Sequence, residues 1–278
     1  MKKISAFLLC LLMTVSLLWA CGEEAAPETT AAPETTAAPE TTAPTEATKA
    51  PVLTEEDVTQ ALQTSGFVLL DGDIALTKEV MVGNGYLDGN GHTLTGPLYI
   101  DCDVQTENTL TVTGGTVQNV TLIGVYRAIG DNSVNRVTGD VHLKNVTVDG
   151  PSYALNFGYG VGNTSLYAED CTLLGWSSYT KFQEAVFTNC TFGWDSTGAN
   201  GNLRPYINTT LIGCRFEGKT GEDGAVIPFN IKFKSGSDGI ILTLEDCYVG
   251  ETLLTEENIG ELLGLDLQGN VLRFHNSQ

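Results

Sequence analysis

Apolar and polar positions alternate along this chain in short runs that stop and restart. Leu143, Val146 and Val148, like Leu110, Val112 and Val117, keep a strand rhythm broken by a turn residue. A helix would instead place apolar residues every three to four positions. Six stretches share one pattern: "VQNVTLIG" (117–124), "LKNVTVDG" (143–150), "AEDCTLLG" (168–175), "FTNCTFGW" (187–194), "LIGCRFEG" (211–218) and "LEDCYVGE" (244–251). "GNGHTLTG" (89–96) is an earlier, looser member. Aligned on one slot, they place His92, Val120, Val146, Cys171, Cys190, Cys214 and Cys247 at steps of 28, 26, 25, 19, 24 and 33 residues. Irregular repeats near this length, each with short strands broken by Gly, Asn or Asp, predict a solenoid.

The position before the slot holds Asn119, Asn145, Asp170, Asn189, Gly213 and Asp246. These types tolerate left-handed backbone and bond their own main chain, as a bend between strands requires. The expected fold class is therefore all-β, a parallel β-helix of about seven coils. The opening "LDGNGHTLTG" and the recurring Asn/Asp-(Val/Cys)-Thr-apolar-x-Gly resemble the right-handed parallel β-helix superfamily that includes pectate lyases and polygalacturonases. The likeness spans roughly residues 67–254. Its motifs speak for the fold and carry almost no information about a reaction.

The slot explains the cysteines. Cys171, Cys190, Cys214 and Cys247 share it with Val120 and Val146, so it asks for small apolar volume, which a buried free cysteine supplies. Stacked equivalents point the same way about 4.8 Å apart. That exceeds the roughly 3.5–4.5 Å between Cβ atoms of a disulfide. A line of thiols cannot converge tetrahedrally on zinc either. Cys102, in "YIDCDV", stands outside the series.

An open solenoid exposes strand edges at both ends, and these need covers. "TEEDVTQALQTSG" (54–66) reads as the N-terminal one: Thr54 caps, Glu55, Glu56 and Asp57 suit the positive helix end, Val58, Ala61 and Leu62 form a stripe, and Gly66 stops it. "TEENIGELLG" (255–264) reads as its C-terminal counterpart, with Ile259, Leu262 and Leu263 as the stripe and Gly264 as the stop.

What precedes the solenoid reads as an address. Residues 1–21 carry Lys2 and Lys3, then the apolar "ISAFLLCLLMTVSLLWA", and end at Cys21, the pattern of an export signal. Leu18-Trp19-Ala20-Cys21 resembles the bacterial lipoprotein cleavage box, with Trp19 departing from its usual small residue. That resemblance implies a lipid on Cys21 and a membrane as partner, with plain secretion as the alternative. Residues 22–51 form an imperfect Ala-Pro-Glu-Thr-Thr-Ala repeat. It has no large apolar residue to offset the entropy of ordering, so it reads as an extended stalk. The remaining 52–278 is one domain's worth of chain.

Charge narrows the partners. The chain carries 14 basic and 34 acidic residues, a formal net of −20. Leaving out Lys2, Lys3, Lys49 and the six glutamates before residue 52 gives the domain 11 and 28, a net of −17. Such a surface repels nucleic acid and polyanions unless a cation bridges them. It also keeps an exported monomer soluble.

Candidate chemistry is sparse. The family's enzymes imply an outward groove, but the paired aspartates, Gly-His-Gly and Arg-Ile-Lys of polygalacturonases are missing; "NIK" (230–232) matches only the last two residues of the third. The Trp-Ile-Asp-His and Arg-x-Pro-x-x-Arg of pectate lyases are missing too. Lys232, Lys234, Arg204 and Arg215 are cations able to neutralise an acidic sugar or, for lysine, abstract a proton when perturbed. His142 is an outward imidazole with Tyr167 in the equivalent slot one coil on, and Lys144 with Glu169 forms an expected cross-strand ion pair. Asp101 and Asp103 flank Cys102 as a possible Ca2+ pair, too few ligands alone; no other cofactor or metal is expected. Trp176 and Trp194, with Tyr126, Tyr153, Tyr179 and Tyr206 in following loop segments, form an aromatic line beside Asp195 and Arg204 that could stack sugar rings. The leading expectation is a surface-tethered β-helix lipoprotein binding glycan or another extracellular ligand without turnover. The alternatives are a polysaccharide lyase or glycoside hydrolase with a non-standard site, and a structural spacer or adhesin.

Overall fold

The computed structural model describes residues 54–77, 80–96, 108–123, 127–130, 137–158, 163–180, 182–233 and 239–277. They lie within one compact unit, Ala47–Gln278. The expected signal, stalk and Cys21 lie outside the described residues, as do Asp101, Cys102, Asp103, Tyr126 and Lys234. The architecture is all-β, a single curled, mostly parallel sheet of 20 strands plus a separate two-stranded pair.

Register resolves the large sheet into three ladders that the chain visits in turn. The first runs through Phe67–Leu69, residues 86–88, 116–118 and 141–144, then Ser165–Glu169, Glu184–Thr188, Thr209–Ile212, Ile241–Glu245 and Val271–Phe274. The second runs through Ile74–Ala75, Thr93–Thr95, residues 121–123, 147–149 and 172–174, Thr191–Gly193, Arg215–Phe216 and Tyr248–Val249. The third collects residues 80–82, 110–112, 127–130, 153–157 and 176–179, then Asn202–Pro205, Asn230–Lys232 and Gly264–Asp266. Every one of these pairings is parallel, a pattern compatible with a β-helix.

The bends stand where the repeat places them. Asn119, Asn145, Asp170, Asn189 and Asp246 have φ of 51°, 50°, 54°, 53° and 48°, and Gly213, in the same position, has 61°. Asparagine and aspartate enter this region at least cost among residues with a side chain, and glycine enters it freely. The amides also pair along the stack: Asn145 Nδ2 donates to Asn119 Oδ1 at 3.0 Å, and Asn119 Nδ2 to Asp88 Oδ1 at 3.1 Å.

Immediately after each bend the slot points inward. Val120, Val146, Cys171, Cys190, Cys214 and Cys247 are all buried, and the four cysteines are free thiols. Each thiol finds a carbonyl: Cys214 Sγ lies 3.4 Å from Phe187 O, and Cys247 Sγ 3.4 Å from Leu211 O. Burial holds the Cys214 thiol well above its ordinary pKa, so it stays protonated. Beside this column lie Phe187, Phe192, Phe216 and Phe229, with ring centroids 5.3–6.4 Å apart. Full burial of each such ring contributes about 1.5–3 kcal/mol. At the first repeat the slot changes character: His92 is half-buried and reaches Asp73 at 3.4 Å instead of filling the core.

One end is covered as the sequence implies. The helix α1, Glu55–Ser65, starts at a capping box, with Thr54 Oγ1 accepting from Asp57 N and the Asp57 carboxylate accepting from Thr54 N. Val58 and Leu62 are buried, and Gly66 ends the helix at φ 64°. The C-terminal expectation needs correction. The helix α2 is a single turn, Ile259–Leu262, and Gly264 opens a strand of the third ladder rather than ending the fold. Ile259 and Leu263 are buried, but the chain then adds Val271–Phe274 to the first ladder. The chain after this strand ties back to the bend below it: Asn276 Oδ1 accepts from Asp246 N at 3.2 Å, and Ser277 N donates to Asp246 Oδ1 at 2.8 Å. Ser277 is exposed, so the inward slot is not repeated here.

Two substitutions test this reading. Asn189→Val places a β-branched residue at φ 53° and should cost about 1–2 kcal/mol or more, whereas Asn189→Gly, the residue Gly213 shows in that position, should cost less. Cys190→Val should cost under about 1.5 kcal/mol and Cys190→Asp several. Urea unfolding measures both series; equal losses for Val and Gly at 189, or for Val and Asp at 190, contradict the assignment.

Candidate functional site

The outward face of the third ladder carries two rows of largely polar and aromatic side chains. Register stacks Tyr153, Trp176, Asn202, Asn230 and Gly264 in one row. A second outward row holds Asn156, Ser178 and Arg204, and continues through Lys232 and Asp266. Between the rows Ser177, Leu203 and Ile231 point inward and are buried. The strand period of two thus delivers two parallel outward rows.

At the end of these rows lies an open groove of about 320 Å3 lined by Asn202, Asn230, Ile231, Lys232, Gly264, Leu265 and Asp266. Asn230 Nδ2 lies 3.5 Å from Gly201 O, which orients its carboxamide. Asp266 Oδ1 accepts from Gln268 Nε2 at 2.6 Å. Lys232 is exposed and stands beside Asp266 in register. The ion pairs among the described residues are His92–Asp73, Lys144–Glu169 and Arg215–Glu251, so neither groove charge is taken up by one. The groove offers amide donors and acceptors, one ammonium and one carboxylate. That set suits a polyhydroxylated ligand. It provides no second carboxylate among its lining residues for the paired-acid hydrolysis of glycosides.

The structure brings three of the sequence candidates to this face. Lys232 lines the groove, and Arg204 and Trp176 stand beside it. Arg204 is committed: its Cζ lies 3.9 Å from the Trp176 ring centroid, a cation–π contact. Tyr153 packs edge-on to the same ring at 5.0 Å. Trp176 therefore shows little free face. Trp194 is half-buried against the core, with Lys219 Nζ 4.1 Å from its ring centroid.

Other candidates have structural work. Tyr179 is fully buried, packs on Phe187 at 5.4 Å and shares a 3.2 Å hydrogen bond with Thr209 Oγ1; it faces the core, because it falls one residue past the outward Ser178. Burial pushes its phenol pKa up. Asp195 is 3% exposed and accepts from Thr197 Oγ1 (2.6 Å), Ala199 N (3.0 Å) and Asn200 Nδ2 (2.7 Å). It staples the 195–200 turn instead of facing a ligand. Tyr206 is half-buried past the end of its strand. Arg215 donates to Gly250 O at 2.7 Å. His142 belongs to the first ladder, far in register from the groove, where it stacks on Tyr167 at 5.1 Å. Lys144 and Glu169, opposite each other there, form the expected ion pair at 3.1 Å. Among the described residues no group of His, Cys, Asp and Glu could hold a metal ion.

Sequence reading missed Asn202, Asn230, Gly264, Leu265 and Asp266. A signal existed: "NLR" (202–204), "NIK" (230–232) and "GLD" (264–266) are stacked triplets of polar or small, apolar, charged type. No protein-family model matches the chain, and neither a curated protein nor a solved structure matches it.

His142 gives a pH test of the first ladder. Burial lowers its pKa below the ordinary 6.5, with Asp140 opposing more weakly. The fold therefore favours neutral imidazole: this contribution is present above the unfolded value and is lost as pH falls below it through the folded one. Histidine NMR titration should give a His142 midpoint below 6.5; a midpoint at or above 6.5 contradicts the half-buried stack on Tyr167.

Proposed function

We propose that this chain is an exported, lipid-anchored right-handed parallel β-helix of the pectate-lyase-like superfamily. Cys21 holds the lipid, residues 22–51 act as the stalk, and the domain binds an extracellular glycan at the cell surface without turning it over. The observation that carries the binding role is the open groove in which Asn202, Asn230, Lys232 and Asp266 stand in register on adjacent strands. Side-chain amides recognise sugar hydroxyls in both senses, as donor and acceptor, and a shallow polar groove admits a chain from the side. The acidic body favours neutral over polyanionic ligands, and the Lys232–Asp266 neighbours leave the groove locally balanced. The coil-by-coil parallel register and the left-handed bends support the superfamily assignment. The Lys-rich, apolar start of the chain supports export. Among the described residues no helix is long and apolar enough to cross a membrane.

A polysaccharide lyase is the second reading, carried by one residue. Lys232 is an exposed amine in the groove, outside the ion pairs of the described residues, and a lysine can abstract a proton when its pKa is depressed.

A glycan array probed with the full chain tests the first reading. Retention of at least one glycan is expected, with about tenfold weaker binding for each of Asn202→Ala and Asn230→Ala as a hydrogen-bonding amide is lost. No retained glycan, or unchanged binding in both variants, contradicts it. Unsaturated-uronate absorbance from a polysaccharide panel, abolished by Lys232→Ala, would favour the lyase instead.

A further inference from the structure

Trp194 stands next to the groove, half-buried, with two neighbours packed against its ring. On one side it packs on Gly201, where a Cβ would lie 2.5 Å from Trp194 Cδ2. Gly201 directly precedes Asn202 and its carbonyl faces Asn230 Nδ2, so the tryptophan and the groove share one stretch of backbone. The Lys219 ammonium also covers the ring, 4.1 Å from its centroid, and donates to Gly198 O. The indole Nε1–H is buried and has no hydrogen-bond partner.

The cover comes from an appended element. Lys219–Thr220 pairs antiparallel with Val226–Ile227 as a two-stranded sheet of its own, outside the large sheet. Its far strand is exposed, Val226 at 75%. A hairpin that shares no ladder with the stack can shift without breaking a rung, and it holds the ring through one flexible side chain. The contact is also of a replaceable kind, because the apolar C–H face of a sugar ring can stack on an indole where an ammonium does.

We propose that Trp194 is a sugar-stacking subsite continuous with the groove, closed by Lys219 on the 219–227 hairpin, and that a pyranose ring displaces this lysine on binding. The proposal rests on the glycan reading of the groove and adds to it a regulated second contact. In the closed state Lys219 competes with ligand, so removing the lysine strengthens binding. Arginine, which stacks on indole at least as well, keeps the subsite closed.

The test uses the full chain labelled with 15N on backbone amides and tryptophan, with the Trp194 indole signal assigned by Trp194→Phe. A neutral gadolinium chelate reports exposure of the ring without any ligand. Soluble hexasaccharides of β-1,4-linked glucose, xylose and mannose are the binding probes, followed at the Asn202 and Asn230 signals. Lys219→Ala should broaden the Trp194 signals more than wild type and lower the half-saturating concentration about two- to fivefold, the factor a partly exposed cation–π contact supplies. Lys219→Arg should match wild type in both. Unchanged exposure of Trp194 in Lys219→Ala overturns the cover, and increased exposure with equal or weaker binding overturns the subsite while the groove stands. No response at Asn202 or Asn230 to any hexasaccharide in either protein overturns the glycan reading and this proposal together.

Discussion

The structure depends on one constraint: from Asn119 to Asp246 successive rungs of the stack turn at the same place, and they turn through a left-handed residue. The bend positions span φ of only 48–54° for asparagine and aspartate and 61° for Gly213. Such a residue reverses which side of the strand the next side chain occupies, so it sets the inward slot immediately after it. Parallel pairing then copies that slot along the axis at about 4.8 Å. Interior cysteines and valines, stacked phenylalanines and paired asparagines are consequences of this copying. A side chain that suits one rung meets its own kind on the next.

Copying also explains where specialised chemistry can arise. The first and second ladders repeat closely, and on the first the outward row carries mutual contacts, Lys144 with Glu169 and His142 with Tyr167. The third ladder receives the chain after loops of changing length, so its rows change type from aromatic to amide to charged along the axis. Tyr153 packs edge-on against Trp176, and Arg204 lies over the same ring. Asn202, Asn230, Lys232 and Asp266 line an open groove. The same backbone register that builds a buried core on the inside thus leaves an open polar groove where the outward copying fails.

Much of this was legible in the sequence because it is local. The bend residues, the buried cysteine column, the Thr54 capping box and the Lys144–Glu169 pair each follow from a few neighbouring residues and a repeat length. What escaped depends on long and unequal connections. Asn202, Asn230 and Gly264 are separated by 28 and 34 residues, with the 219–227 hairpin and α2 between them, so no fixed period links them. Tyr179 and Asp195 looked like surface groups because the sequence shows their loop-like neighbours and not which side of the strand or turn they occupy. The second helix was misplaced for a related reason: its apolar stripe is real, but the strand that follows it, Val271–Phe274, leads into neither a left-handed bend nor a buried slot that would mark it as a rung.

Differential thiol labelling tests the central claim most directly, because the claim is that one slot of the repeat lies inside on four successive rungs. Maleimide treatment of the native full chain, followed by mass analysis of peptides holding Cys171, Cys190, Cys214 and Cys247, should find all four unlabelled over the time that modifies them completely in denaturant. Rapid native labelling of Cys190 or Cys214, or a disulfide joining any two of the four in the unreduced protein, would contradict the inward slot and with it the register of the stack.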